Sequence, residues 1–179
     1  WRYGDGSSSI LKSPSHLYSV VDSYSVTLIA TSSSNCVDSL TLPAKVFGLP
    51  IVSITCDTVC QGQTTTYSNS TTGASSYIWR FGDGTAKVTK RSANHYFSKA
   101  GNYKTILRAT SAHGCKNIDT CRAVVYEQPK AKFTADTVCA LDSTHFTIES
   151  VISTSVLPIW DFGGGAFSTD AAPAFAFPS

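Results

Sequence analysis

Apolar and polar residues alternate with a period of two along much of the chain. One face of the clearest segment carries Tyr103, Thr105, Leu107 and Ala109, and the other carries Lys104, Ile106, Arg108 and Thr110. Tyr24, Val26, Leu28 and Ala30 repeat the same phase. This alternation is typical of strands that bury one face, and no segment has a helical period. The pattern therefore predicts an all-β protein.

An aromatic strand runs into a glycine-rich turn at three places, beginning at Trp1, Trp79 and Trp160. The segments read WRYGDG, WRFGDG and WDFGGG, and they start 78 and then 81 residues apart. Strand phase places Trp79 and Phe81 on the inward face, and the turn glycines supply positive φ angles. A period near eighty residues predicts a tandem array of similar domains.

Comparison of the three copies predicts the domain boundaries. Pro50 aligns with Pro129, Cys36 with Cys115, and Cys60 with Cys139. We predict a middle segment, residues 49–128, that is one complete repeat. Residues 1–48, the N-terminal segment, are the last part of a repeat, and residues 129–179, the C-terminal segment, are the first part of another. Because the chain opens inside a motif, we expect its natural N-terminus to lie upstream.

The motif residues of the middle segment resemble the PKD domain, an immunoglobulin-like β-sandwich. The residues that carry the resemblance are Trp79, Phe81, Gly82, Asp83, Gly84, His95 and Tyr103. The copies depart from the motif at Tyr3, Asp22, Phe97 and Gly164, and the C-terminal copy lacks the His. The resemblance implies about seven short antiparallel strands per repeat. Short joints that contain Pro50 and Pro129 predict a stiff, extended array.

The cysteine positions resemble those of PKD arrays in long secreted surface proteins of Bacteroidota, including type IX-secreted gliding-motility adhesins. This implies a non-catalytic stalk or filament of an extracellular, cell-surface adhesin. The implied partners are neighbouring repeats and surface glycans or other cell-surface proteins. Two alternatives are a spacer or substrate-binding module of a secreted protease or chitinase, and a polycystin-type receptor ectodomain.

The composition limits the classes of partner and the cellular compartment that the chain can have. A net charge of +2 and a charged fraction of 15% are too small to suggest nucleic-acid binding. No apolar run is long enough to cross a membrane. Six cysteines in a β-patterned chain favour an oxidising compartment.

Four of the cysteines are candidates for pairing within the middle segment. We predict nested disulfides, Cys60–Cys115 inside Cys56–Cys121, with zinc bound by the same four thiolates as the alternative. Cys36 and Cys139 are expected to have their partners outside the chain.

For the remaining candidate residues, the sequence context indicates structural roles rather than catalysis or ligand binding. Asp5 and Asp83 are calcium candidates, but each stands alone in its turn, where an Asp commonly caps backbone N–H groups. His16 and His95 have no acidic neighbour in the sequence, and neither His113 nor His145 has a predicted partner. The tryptophans are expected in the core rather than stacked on sugars. No catalytic constellation can be assembled, so we predict no enzyme, no metal site and no cofactor.

Candidate O-glycosylation sites occur where Asp is followed by Ser or Thr and an apolar or Thr residue. These sites are Ser39, Thr58, Thr137 and Ser143. Thr58 and Thr137 occupy the same repeat position. Asn69 begins a eukaryotic-type sequon, which matters only in a eukaryotic source.

Overall fold

The computed structural model describes residues 1–139, 141–150 and 158–177, and the regular structure within these ranges is entirely β. The strands are β1 (Ser23–Thr31), β2 (Val37–Lys45), β3 (Ile54–Cys56), β4 (Thr58–Cys60), β5 (Thr64–Asn69), β6 (Ser76–Arg80), β7 (Asn94–Tyr96), β8 (Gly101–Thr110), β9 (Lys116–Tyr126), β10 (Phe133–Ala135), β11 (Thr144–Ile148), β12 (Trp160–Asp161), β13 (Phe167–Ser168) and β14 (Ala174–Phe175). The all-β prediction is confirmed.

The middle segment contains seven of these strands in two sheets. One sheet has the order β3-β5-β7 and the other has the order β4-β9-β8-β6. All pairings are antiparallel except that of β4 with β9, which is parallel. The predicted immunoglobulin-like sandwich is therefore present in this segment.

The core of the sandwich follows the period-two pattern. On β8, Thr105, Leu107 and Ala109 are fully buried, whereas Lys104 and Arg108 on the opposite face are exposed. Trp79, which projects from β6, is also fully buried and joins the same apolar cluster. The alternation places every second side chain between the sheets.

The chain changes sheets at Asp57, between β3 and β4. The Asp57 carboxylate accepts hydrogen bonds from the Thr66 backbone N–H, at 3.0 Å, and from the Thr66 hydroxyl, so it ties the crossing to β5. The Cys56–Cys121 disulfide joins β3 to β9 across the core, as predicted, over a sequence separation of 65 residues. By the chain-entropy model such a bridge stabilises the fold by about 4 kcal/mol.

The predicted Cys60–Cys115 disulfide is wrong. Cys60 lies opposite Tyr126 at the last position of β9, whereas Cys115 directly precedes the first. Eleven residues of extended chain separate these positions by about 35 Å, and a disulfide requires Cα atoms within about 7 Å. Both thiols are unpaired, as are those of Cys36 and Cys139 in the described part of the chain. The same distance rules out one zinc ion bound by all four middle-segment thiolates.

The flanking segments are less enclosed. In the N-terminal segment, β1 and β2 form a hairpin, and Arg2 bridges to Thr27 of β1. Leu28 and Ala30 are exposed there, although the corresponding Leu107 and Ala109 are buried, because residues 1–48 supply no opposing sheet. The C-terminal segment contributes the sheets β10-β11-β14 and β12-β13. The division of the chain at residues 49 and 129 stays a prediction.

Candidate functional site: the aromatic strand and its turn

Each of the three tryptophans anchors its strand through the indole N–H. Trp79 Nε1 donates to the Lys90 carbonyl oxygen at 2.9 Å. Trp1 Nε1 donates to the Leu11 carbonyl oxygen at 3.1 Å and Trp160 Nε1 to the Asp170 carbonyl oxygen at 2.9 Å. The acceptor lies ten or eleven residues downstream in every case. Trp79 is wholly enclosed, so its ring offers no platform for a sugar.

The aspartate in the turn closes the turn on itself. Asp83 Oδ1 accepts the Thr85 backbone N–H at 3.1 Å and the Thr85 hydroxyl at 2.6 Å. Asp5 makes the same two bonds to Ser7, at 3.0 and 2.6 Å. The side chain thus satisfies local donors in the way that is common for Asp in turns.

The second carboxylate oxygen of each aspartate binds a histidine. Asp83 Oδ2 lies 2.6 Å from His95 Nε2, and Asp5 Oδ2 lies 2.6 Å from His16 Nε2. The expectation that these histidines lack an acidic neighbour is wrong. A turn brings together residues 11 or 12 positions apart, which strand periodicity does not reveal.

Each histidine also sits in an aromatic stack. His95 lies face to face with Phe81 at a centroid distance of 3.9 Å and edge-on to Phe97 at 4.6 Å. In the N-terminal segment the equivalent rings are Tyr3, His16 and Tyr18, with centroid distances of 4.0 and 4.6 Å. The two copies share one arrangement, in which the carboxylate binds the edge of the imidazole and the face of the imidazole lies on an aromatic ring.

The C-terminal copy replaces both the aspartate and the histidine of this pair with residues that have no polar side chain. Phe175 takes the place of His95 and lies 4.5 Å from Phe162 and 4.9 Å, edge-on, from Phe177. Gly164 takes the place of Asp83. A carboxylate at position 164 would find no histidine N–H for its second oxygen, so the two replacements belong together. This joint loss is the sequence signal that could have revealed the Asp–His pair.

The environment of each aspartate lowers its pKa. Burial by itself raises the pKa of Asp83, but hydrogen bonds from Thr85 and His95 outweigh it, so the net pKa lies below the usual range. The Ser7 hydroxyl, followed by His16, holds the pKa of the exposed Asp5 carboxyl far below its usual range. Both groups are therefore carboxylates at neutral pH.

The first glycine of the turn packs its backbone against the neighbouring strand. A Cβ on Gly82 would lie 2.6 Å from the Lys104 carbonyl oxygen of β8, and one on Gly4 would lie 2.9 Å from Ser25 of β1. Gly82 has a φ of 86° and Gly84 a φ of 83°, but a Cβ on Gly84 would meet open space. Only the first position requires both the conformation and the missing side chain.

Two other histidines have partners that the sequence did not indicate. His113 stacks on Phe47, with ring centroids 3.6 Å apart. His145 donates its backbone N–H to Asp136 Oδ1 at 2.7 Å, and its Nδ1 lies 2.9 Å from Oδ2. These bonds, the backbone one first, lower the pKa of Asp136.

The candidate glycosylation sites are all exposed. Ser39 lies on β2, Thr58 on β4, and both Thr137 and Ser143 lie outside the strands. The preceding Asp57 and Asp136 each accept a backbone N–H nine residues downstream, from Thr66 and His145. This structural role accounts for the recurrence of the Asp without any modification.

An apolar cleft of about 710 Å³ lies in the C-terminal segment, lined in part by Phe133, Phe146, Trp160, Phe162 and Phe177. The Phe146 and Trp160 rings are 5.5 Å apart, close to the 5.4 Å between Tyr67 and Trp79. In the middle segment, Leu107, Ala123 and Val125 of β8 and β9 belong to the core around that pair. The cleft therefore corresponds to core volume that two further strands fill in the middle segment.

The described residues contain no group of three or more His, Cys, Asp or Glu side chains that could hold a metal ion. None of their elements is a helix of the length and apolarity needed to cross a membrane.

The family model of the PKD domain matches residues 49–125. Residues 49–125 are thus similar to a PKD domain, and this similarity together with the Cys56–Cys121 disulfide indicates an extracellular protein. Such domains are typically non-catalytic binding or structural modules. No curated protein matches the chain.

Two solved structures are similar to parts of the chain. The PKD1 domain of Vibrio anguillarum Epp is 24% identical, with a TM-score of 0.41, over 45% of this chain and 98% of that one. A carbohydrate-binding module from the β-sandwich superfamily, described as promiscuous in specificity, is 17% identical, also with a TM-score of 0.41. That match spans 56% of this chain and 54% of the other.

We predict that the two turn glycines differ in their tolerance of a methyl group. Gly84→Ala should lower the free energy of unfolding by about 1 kcal/mol, the cost of a positive φ for a residue with Cβ. Gly82→Ala adds a backbone clash and should cost about 3 kcal/mol or more. Urea unfolding followed by tryptophan fluorescence measures both, and equal losses would contradict the close approach to Lys104.

We predict that the Asp83–His95 bond stabilises the domain only while Asp83 is ionised. Because the folded-state pKa of Asp83 is lowered, its contribution is present above about pH 4, the usual Asp value, and is lost as the pH falls below it. Asp83→Asn should therefore cost about 1–2 kcal/mol at pH 7, through weakened hydrogen bonds, and much less at pH 2.5.

Urea unfolding at the two pH values measures this difference. Asp38→Asn is the control, since Asp38 is exposed and accepts the adjacent Ser39 N–H. A loss on Asp83→Asn that is the same at both pH values would refute the role of the charge.

Proposed function

We propose that the chain is a non-catalytic segment of a large extracellular repeat protein, and that it serves as part of the stalk or filament of a cell-surface adhesin. The observation that carries the proposal is the recurrence of one unit at three places. Each unit has an anchored Trp, a glycine turn and an aromatic stack, and corresponding ring distances agree within about 0.6 Å. A chain that reuses one unit at a period of about eighty residues behaves as a one-dimensional array.

Contacts at the first joint, residues 48–50, support a stiff connection. Phe47, directly before the joint, stacks on His113 of the middle segment. Asn117 Nδ2 donates to the Pro50 carbonyl oxygen at 3.0 Å, so the joint is held by a strand residue of β9. Proline restricts both its own φ and the residue before it, which leaves little freedom between neighbouring repeats.

The surface of the array suits an adhesin of the Bacteroidota type. Ser39, Thr58, Thr137 and Ser143 are accessible for O-linked sugars in the proposed surface protein. The partners would be neighbouring repeats of the same chain, with surface glycans or other surface proteins as the adhesive targets. The alternatives, a spacer or substrate-binding module of a hydrolase and a polycystin-type ectodomain, place the same domain in a different parent.

We predict that inserting one repeat lengthens the molecule by a fixed amount. A second copy of residues 50–128 inserted after Gln128 keeps the natural order of a Gln followed by a Pro. Strand β8 has ten residues, so the maximum dimension from small-angle X-ray scattering should grow by roughly 35 Å. The matched control carries the same insertion behind a Gly-Ser linker of twelve residues and should show a broader distribution of dimensions.

Growth of less than about 15 Å would mean that repeats pack side by side, and would contradict the stalk. Sedimentation of the protein with insoluble chitin or cellulose would favour the hydrolase module instead.

A further inference from the structure

The six cysteines form two groups, one that recurs at matching positions of the repeats and one that does not. Cys56 and Cys121 pair with each other, but their counterparts in the other copies are Ala135 and Leu42. The other four recur at matching positions, Cys36 with Cys115 and Cys60 with Cys139, and all four are unpaired thiols. The recurring cysteines are thus the ones that find no partner within their own repeat.

The two recurring positions lie at opposite ends of the sandwich. Cys115 precedes β9, and its Sγ lies 3.7 Å from the Phe47 carbonyl oxygen, directly before the first joint. Cys60 ends β4 and lies opposite Tyr126, directly before the second joint, residues 127–129. Each repeat therefore carries one thiol beside the joint that leads in and one beside the joint that leads out.

Phe47 and Tyr126 occupy the same position in successive repeats. Each lies three residues before the joint proline and eleven residues after a recurring cysteine. Cys115 contacts the Phe47 carbonyl oxygen of the preceding repeat. If successive repeats meet in the same way, the residue of the next repeat that corresponds to Cys115 lies at the Tyr126 carbonyl oxygen. Cys60 is already beside that residue, and the neighbouring Gln61 N–H donates to the same oxygen at 2.7 Å.

We propose that the Cys60-type thiol of one repeat forms a disulfide with the Cys115-type thiol of the following repeat, which covalently staples each joint. The inference rests on the proposed tandem array. Adjacent β-strands are about 5 Å apart, so both thiols lie within one residue of Tyr126 and can approach to disulfide distance by side-chain rotation and a small adjustment of the joint. Cys60 is exposed and Cys115 is partly exposed, which leaves both open to oxidation.

The bond forms by oxidation of two thiols. A small-molecule disulfide such as oxidised glutathione accepts the two electrons and two protons and leaves as two glutathione thiols. Within residues 1–179, Cys60 and Cys115 belong to different joints, and each of the four recurring cysteines supplies one thiol of a different staple. The staple would add a covalent link beside the proline joint and restrict bending in the array.

The duplicated chain described above tests the staple, because it creates one complete joint. The first copy's Cys60 and the second copy's Cys115 flank the new junction. After refolding in a glutathione redox buffer, peptide mapping without reduction should recover a Cys60–Cys115 linked peptide. Titration of the denatured protein should find four free thiols, the same number as in the parent chain, rather than six.

Position-specific variants give matched controls. Cys60→Ser in the first copy should abolish the linked peptide, whereas Cys60→Ser in the second copy should leave it intact. Loss of the peptide in both variants, or in neither, would overturn the assignment.

The result also separates the staple from the array. If the linked peptide is absent although both Cys56–Cys121 bridges form and the maximum dimension grows by roughly 35 Å, the staple is refuted and the array stands. If the dimension does not grow, the array fails and the staple fails with it.

Discussion

The buried indole N–H of the tryptophan is the constraint on which the domain depends. A polar hydrogen enclosed in an apolar core is costly unless it is bonded, and the chain supplies a carbonyl oxygen ten or eleven residues downstream of each Trp. Meeting that requirement brings the segment after the turn back beside Trp79, where Val88 bridges to the Trp79 backbone and Lys90 accepts the indole N–H. This returning segment lies next to the glycine turn, the histidine stack and the contact of β6 with β8.

The turn and the stack act as one unit. Gly82 allows the turn to lie against the β8 backbone, and Asp83 closes the turn and binds His95. His95 in turn stacks on Phe81 and meets Phe97 edge-on. The C-terminal copy shows that the Asp–His pair can be exchanged for Gly164 and Phe175 while the stacking geometry persists. Ring packing is therefore the common element, and the Asp–His hydrogen bond is one way to position the middle ring.

Strand phase predicted the fold well because burial on one face of a strand repeats every two residues. Trp79, Leu107 and Ala109 lie in the core as their positions indicate. Side-chain partners across turns and joints were not predictable in this way. Asp83 and His95 meet through loop geometry, and His113 meets Phe47 across a joint. The Cys60–Cys115 disulfide was predicted wrongly for the same reason. The order of the cysteines in the sequence does not reveal that β4 runs parallel to β9, which places Cys60 beside the end of β9 and far from Cys115.

Hydrogen exchange of the three indole N–H groups, followed by NMR, tests most directly whether one Trp-centred unit is built three times. We expect three resolved signals that all exchange more slowly than indole in an unfolded chain, with Trp79 the slowest because it is fully enclosed. Protection of Trp79 alone, with Trp1 and Trp160 exchanging at the unfolded rate, would contradict this expectation.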